Sequence, residues 1–74
     1  MSILPILTAR AVTQKLIRAG FRFIYAKGSH YFFKHPITNR ITSVPIHGGK
    51  TIGRGLLSKI IKQAGLSIKE FIKL

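Results

Sequence analysis

Apolar residues recur at three- and four-residue spacing from Thr8 onward: Val12, Leu16 and Ile17, then Ala19, with Arg10, Gln14, Lys15 and Arg18 mostly on the other face. That spacing predicts an amphipathic helix. Thr8 stands where a hydroxyl can cap its start, and Gly20 where a glycine can end it. After Gly20 the period changes to runs of aromatic and β-branched residues between turn formers. These runs predict strands over residues 21–26, 30–35 and 40–46. Lys27-Gly28-Ser29 forms the first hairpin turn, and residues 36–39 the second.

Glycines then cluster at positions 48, 49, 53 and 55, and helical spacing returns in Leu56, Leu57, Ile60, Ile61 and Ala64 before Gly65. A second helix over residues 54–64 follows. Ser67 and Glu70 stand at capping-box spacing, so each can satisfy the other's exposed amide. This predicts a short terminal helix and gives Glu70 a structural duty. The order is α-β-β-β-α with a short C-terminal helix. The expected class is α+β: a three-stranded antiparallel sheet with helices on one face and the other face open. Residues 1–7 read as an apolar N-terminal arm and residues 8–74 as a single domain. The arm is too short for a signal core or a membrane span, and no membrane partner is expected.

Charge changes the picture more than length does. A chain of 74 residues buries only about 60–65% of its unfolded surface, so any site lies near the surface. Thirteen Lys and Arg against the single acid Glu70 give a formal net charge of +12. Such a balance suits a polyanion: a nucleic acid, an acidic protein, or both. There is no cysteine, which removes disulfides and thiolate metal sites and is compatible with an intracellular home. The expected localisation is cytoplasmic.

Chemistry narrows by subtraction. Two-metal nucleases and carboxylate acid–base enzymes need several Asp or Glu side chains, and one glutamate at a helix start cannot supply them. His30, His35 and His47 make a poor zinc site, because His30 and His35 are an odd number apart on one strand and point to opposite faces. A Ser-His-acid triad lacks its acid. No metal and no cofactor is expected. What survives is proton transfer by histidine on a substrate that brings its own charge and nucleophile. RNA fits, through its 2′-hydroxyl.

On strand geometry His30, Phe32 and Lys34 share one face while Tyr31, Phe33 and His35 share the other. Alternation this apolar leaves open which face is uncovered. With the His30 face uncovered, Lys34 becomes a phosphate contact, Phe32 a stacking surface and Lys27 a neighbour in the turn. Gly28 then lets the backbone come close to a phosphate. The plainer readings stand beside these. A lone histidine opening a strand is more often a satisfied polar residue, and Phe23, Phe32 and Phe33 are core residues first. His35, before Pro36, suits turn capping, whereas His47, between Pro45-Ile46 and two glycines, is the more interesting of the two. Lys15, Arg18, Lys59, Lys62 and Lys69 lie on helix faces that are solvated in any case.

Four pieces in order carry a resemblance. They are the helix ending in Ala19-Gly20-Phe21, then Lys27-Gly28-Ser29-His30, then Val44-Pro45-Ile46-His47, then Gly55-Leu56-Leu57 through Ile60-Ile61-Lys62-Gln63-Ala64-Gly65-Leu66. Over residues 12–71 the chain resembles the HicA-type toxins. The resemblance implies a double-stranded-RNA-binding-domain-like fold and an mRNA interferase of a toxin–antitoxin pair, which cleaves transcripts and arrests growth; with the subtraction above, the expected enzyme is a metal-independent ribonuclease. The resemblance implies His30 as the catalytic histidine; the candidate RNA contacts read from the residues around it are Lys27, Gly28, Ser29, Lys34 and His47. It also implies an acidic HicB-type antitoxin that covers the basic active face. Two stretches depart from the family pattern: the apolar leader, residues 1–7, and Thr51-Ile52-Gly53-Arg54, where more polar residues are expected. Two other classes fit the composition, a non-catalytic RNA-binding module on the same scaffold and a small basic ribosome-associated protein.

Overall fold

The computed structural model describes residues 4–46 and 50–74. Residues 1–3 of the expected arm, and His47 with its two glycines, lie outside the described residues. The elements are β1 (Leu7–Thr8), α1 (Ala9–Arg18), β2 (Arg22–Lys27), β3 (His30–Lys34), β4 (Ile41–Pro45), β5 (Thr51–Ile52), α2 (Arg54–Ala64) and α3 (Ile68–Ile72). Strands β2, β3 and β4 form an antiparallel sheet in that order, and β1 pairs antiparallel with β5 in a two-residue ribbon. The predicted α+β order stands, with the β1–β5 ribbon added to it.

Both long helices begin and end where the sequence dictates. The Thr8 hydroxyl accepts from the Ala11 amide at 3.1 Å. At the other end the Gly20 and Phe21 amides donate to the carbonyls of Ile17 and Leu16, each at 3.0 Å. Helix α2 repeats this stop with Gly65 and Leu66 on Lys62 and Ile61. Gly20 and Gly65 both have positive φ, the conformation such a stop requires. The capping box of α3 also forms, with the Glu70 carboxylate accepting from the Ser67 amide at 2.8 Å and the Ser67 hydroxyl from the Glu70 amide at 3.0 Å.

The core lies between the sheet and the helices. Val12 and Leu16 of α1 and Leu57, Ile60 and Ile61 of α2 are buried together with Phe33 and Val44 of the sheet and Phe71 of α3. Among the described residues Thr42 is the one buried polar side chain of the core, and its hydroxyl lies 3.0 Å from Gln63 Oε1. Cα extents of 34 × 30 × 17 Å leave room in the short dimension for one sheet layer and one helix layer.

Several inward assignments change. Ile17, grouped with the apolar stripe of α1, is 55% exposed, because one residue beyond Leu16 is about 100° around the helix from the buried line. Leu56 stands outside the α2 stripe for the same reason. Phe23 is 52% exposed: it belongs to edge strand β2, and its ring meets only the margin of the core, at 5.9 Å from Phe33.

Lys15 and Arg18 are not simply solvated. The Lys15 ammonium donates to the Leu74 and Ile72 carbonyl oxygens at 2.9 and 3.2 Å and lies 5.6 Å from the Phe71 ring centre. Arg18 reaches the Leu74 carbonyl oxygen at 3.5 Å. These cations serve the carbonyl end of α3, where positive charge is favourable.

The two departures from the family pattern meet each other. Leu7 pairs with Ile52 and Thr8 with Thr51, Leu4 and Ile52 are buried, and Arg54 Nε donates to the Leu4 carbonyl at 2.8 Å. Ile52 is apolar because it faces the core beside the leader.

Candidate nucleic-acid interface

The turn at Gly28-Ser29 sets the register of β2 against β3 as far as Tyr25. Gly28 has φ +59°, while Ser29 is not among the residues with positive φ, the sign pattern of a two-residue hairpin turn with glycine first. A Cβ at Gly28 would meet nothing within 4 Å, so it is the φ rather than crowding that selects glycine. Counting back from this turn pairs Lys27 with His30, Ala26 with Tyr31 and Tyr25 with Phe32. An irregularity between Phe23 and Tyr25 then leaves Ile24 extra, so Phe23 opposes Phe33 and Arg22 opposes Lys34.

Residues paired across strands share a face. One face therefore carries Phe23, Tyr31, Phe33, Thr42 and Val44, and the helices cover it at Phe33, Thr42 and Val44. The other carries Arg22, Tyr25, Lys27, His30, Phe32 and Lys34, with Ile41, Ser43 and Pro45 of β4. All of these are exposed or half-buried. The uncovered face is the one bearing His30.

Of the residues singled out from the sequence, Lys27 is the cross-strand partner of His30, their Cβ atoms about 5 Å apart by strand geometry. Lys34 shares the face, but four residues along the strand puts it about 13 Å from His30, beside Arg22 rather than in the turn. Ser29 holds the strand ends together, its carbonyl accepting from the Ile46 amide at 2.7 Å. His47 lies outside the described residues. His35 caps a turn as expected: its Nδ1 accepts from the Ile37 and Thr38 amides at 3.2 and 3.3 Å, and its ring meets Phe21 edge-on at 5.2 Å.

A shallow concavity of about 440 Å³ lies by His35, lined by Ile17, Phe21, Arg22 and Ile37 among others. It sits at the Lys34 end of the sheet, away from His30, and of the open-face residues it is Arg22 that borders it.

Residue-by-residue reading missed Arg22 and Tyr25. The Tyr25 ring stacks on Phe32 with centres 4.6 Å apart and planes 9° from parallel. The two-residue turn carries the signal for this pair, since counting outward from it places position 25 opposite position 32. Nothing in the pattern announces the bulge that brings Arg22 round to the same face.

The only acidic side chain in the sequence, Glu70, is engaged at the α3 cap, where hydrogen bonds from Ser67 hold its carboxyl below the ordinary glutamate range. The fold and this face define a small α+β domain of double-stranded-RNA-binding type that presents a cationic, aromatic sheet surface around one histidine. The family described as "HicA toxin of bacterial toxin-antitoxin" matches residues 9–66. "Probable mRNA interferase HicA" of Pseudomonas fluorescens (strain Pf0-1) is 45% identical over 47 residues, which cover 64% of this chain and 75% of that protein. The chain belongs to the HicA toxin family. The matched span excludes β1 and α3, the elements that Leu7, Phe71 and Lys15 tie to the domain.

Proposed function

We propose that this chain is the toxin of a toxin–antitoxin pair and an endoribonuclease that cleaves mRNA, with His30 transferring a proton at the scissile phosphate. The observation that carries the reading is the position of His30 on the uncovered sheet face, paired with Lys27, on a face that also carries Arg22 and Lys34 and has no carboxylate. RNA supplies what this face lacks. Its 2′-oxygen attacks the adjacent phosphorus while the bond from phosphorus to the 5′-oxygen breaks. The 2′-hydroxyl gives up its proton and the departing 5′-oxygen receives one, leaving a 2′,3′-cyclic phosphate and a 5′-hydroxyl. His30 serves one of these transfers, and Lys27 stabilises the charge that builds on the phosphorane.

Cleavage of transcripts stops translation and growth, and its substrate places the protein in the cytoplasm. No described helix is long and apolar enough to cross a membrane. An acidic HicB-type antitoxin fits the other half of the pair. Its charge complements a surface that at +12 repels itself, and it silences the enzyme by covering the His30 face.

The test is incubation of purified wild type and His30→Ala with end-labelled single-stranded RNA in excess EDTA, reading product ends. Wild type yields cyclic-phosphate ends, and His30→Ala is slower by about 10²–10⁴-fold with RNA binding and melting temperature retained. Tight binding without cleavage by either protein would replace the enzyme with an RNA-binding module.

A further inference from the structure

The open face bears three cross-strand pairs of β2 and β3 in a row: Lys27 with His30, Tyr25 with Phe32, and Arg22 with Lys34. Successive pairs are two residues apart along β3, about 7 Å. The order is cation and histidine, aromatic pair, cation pair. A single strand of RNA alternates in the same sense, phosphate, base, phosphate. The bulge at Ile24 completes the series, because an unbroken ladder would turn Arg22 to the helix side.

Within the aromatic pair, one ring face of Tyr25 lies against Phe32. Its other face looks out from edge strand β2, and the residue is 50% exposed. A cross-strand stack strengthens the hairpin whatever its further use. It does not require cations on both sides, nor a free ring face at the edge of the sheet.

Resting on the ribonuclease reading, we infer that Tyr25, backed by Phe32, is a base-stacking subsite that takes one unpaired nucleobase of the substrate, next to the phosphate at His30. Cationic flanks would attract an acidic protein as well; the occupant is RNA because cation, ring pair and cation follow one another in the order phosphate, base, phosphate of a single strand. A ring face accepts any base, so the subsite selects for an unstacked nucleotide more than for a sequence. Although the fold is of a type that reads duplex shape, this surface therefore prefers single-stranded RNA.

Binding is measured with a short, fully 2′-O-methylated oligonucleotide, which lacks the attacking hydroxyl, carrying one abasic nucleotide at each position in turn. In wild type, one abasic position weakens binding by about 5- to 150-fold, the value of one stacked base. In Tyr25→Leu that position costs nothing further, whereas Tyr25→Phe behaves as wild type. Because the decisive change is in the RNA, the result holds even where Tyr25→Leu loosens the hairpin. Equal binding of all abasic probes, an abasic loss undiminished in Tyr25→Leu, or a duplex that binds wild type as well as the single strand would overturn the inference. So would a Tyr25→Leu variant that keeps RNA affinity and loses only an acidic protein partner. Base-dependent coupling in a protein that never cleaves RNA would remove the nuclease reading and leave the subsite standing.

Discussion

On the helix side of β3, Phe33 is 1% exposed and meets the residues that α1 and α2 press against the sheet. On the other side of the same strand, one residue away in either direction, Phe32 and Lys34 stand on a face that no described helix covers. Both sides carry phenylalanine, so side-chain type does not distinguish them. What differs is the neighbour. Phe33 is buried within the apolar cluster of the core, whereas Phe32 has the Tyr25 ring on one side and Ser43 of β4 opposite. One face holds the domain together, and the other is left free to meet a ligand.

Substitution along the strand breaks the comparison most directly. Phe33→Ala removes a fully buried ring and costs about 3–5 kcal/mol. That is a large part of the total stability of a domain this small, about 4–11 kcal/mol. Urea denaturation should show a midpoint moved far to lower concentration, with the folded baseline lost altogether where the stability lies at the low end of that range. Phe32→Ala on the open face should cost less than half as much and leave a cooperative transition. Equal losses would mean that the open face is packed after all.

Much of this was legible in the chain. The bounds of α2 follow from the apolar stripe and from Gly65, and the meander follows from a two-residue turn that fixes register as well as reversal. The uncovered face was not legible, because the strands are too apolar for alternation to rank their sides, and only the seating of α1 and α2 decides it. The bulge at Ile24 has no sequence mark, and it changes the faces of both Arg22 and Phe23. Pairing between Leu7 and Ile52 joins segments of two residues each, too short to show a period. The roles of Lys15 and Arg18 depend on where the end of α3 falls in space, which helix periodicity cannot give. His30, in contrast, stood out because the composition left so little else able to do chemistry.

A smaller effect lies at the terminal helix on the covered side. Ser67→Ala removes the hydroxyl that accepts the Glu70 amide and should cost about 1 kcal/mol, read as a lowered melting temperature with RNA binding unchanged. On the open face, Lys34→Ala should leave the melting temperature alone. Its signature is in binding, where the slope of log affinity against log salt becomes shallower by about 0.7, the value for one phosphate of a single strand that is no longer neutralised. An unchanged slope would remove Lys34 from the interface while leaving the fold as described.

The smallest effect expected is on pH dependence, and here the composition makes it clean. Glu70 is the only side-chain carboxylate, so below pH 5 no other Asp or Glu titrates. Its folded pKa lies below the ordinary 4.5, first because the Ser67 amide donates to the carboxylate and then because of the Ser67 side chain. A lowered folded pKa means that the unfolded chain binds the proton more readily. The contribution of Glu70 is therefore fully present above about 4.5 and is lost as pH falls through the folded value. Glu70→Gln keeps an oxygen that can accept from Ser67 but cannot titrate. Melting temperatures of the two proteins should run parallel above pH 5 and converge below 4.5, as the wild type alone loses its cap. Curves that stay parallel down to pH 3 would mean that the charge of Glu70 adds nothing to the cap, leaving the Ser67 hydroxyl, Phe71 and Lys15 to hold α3.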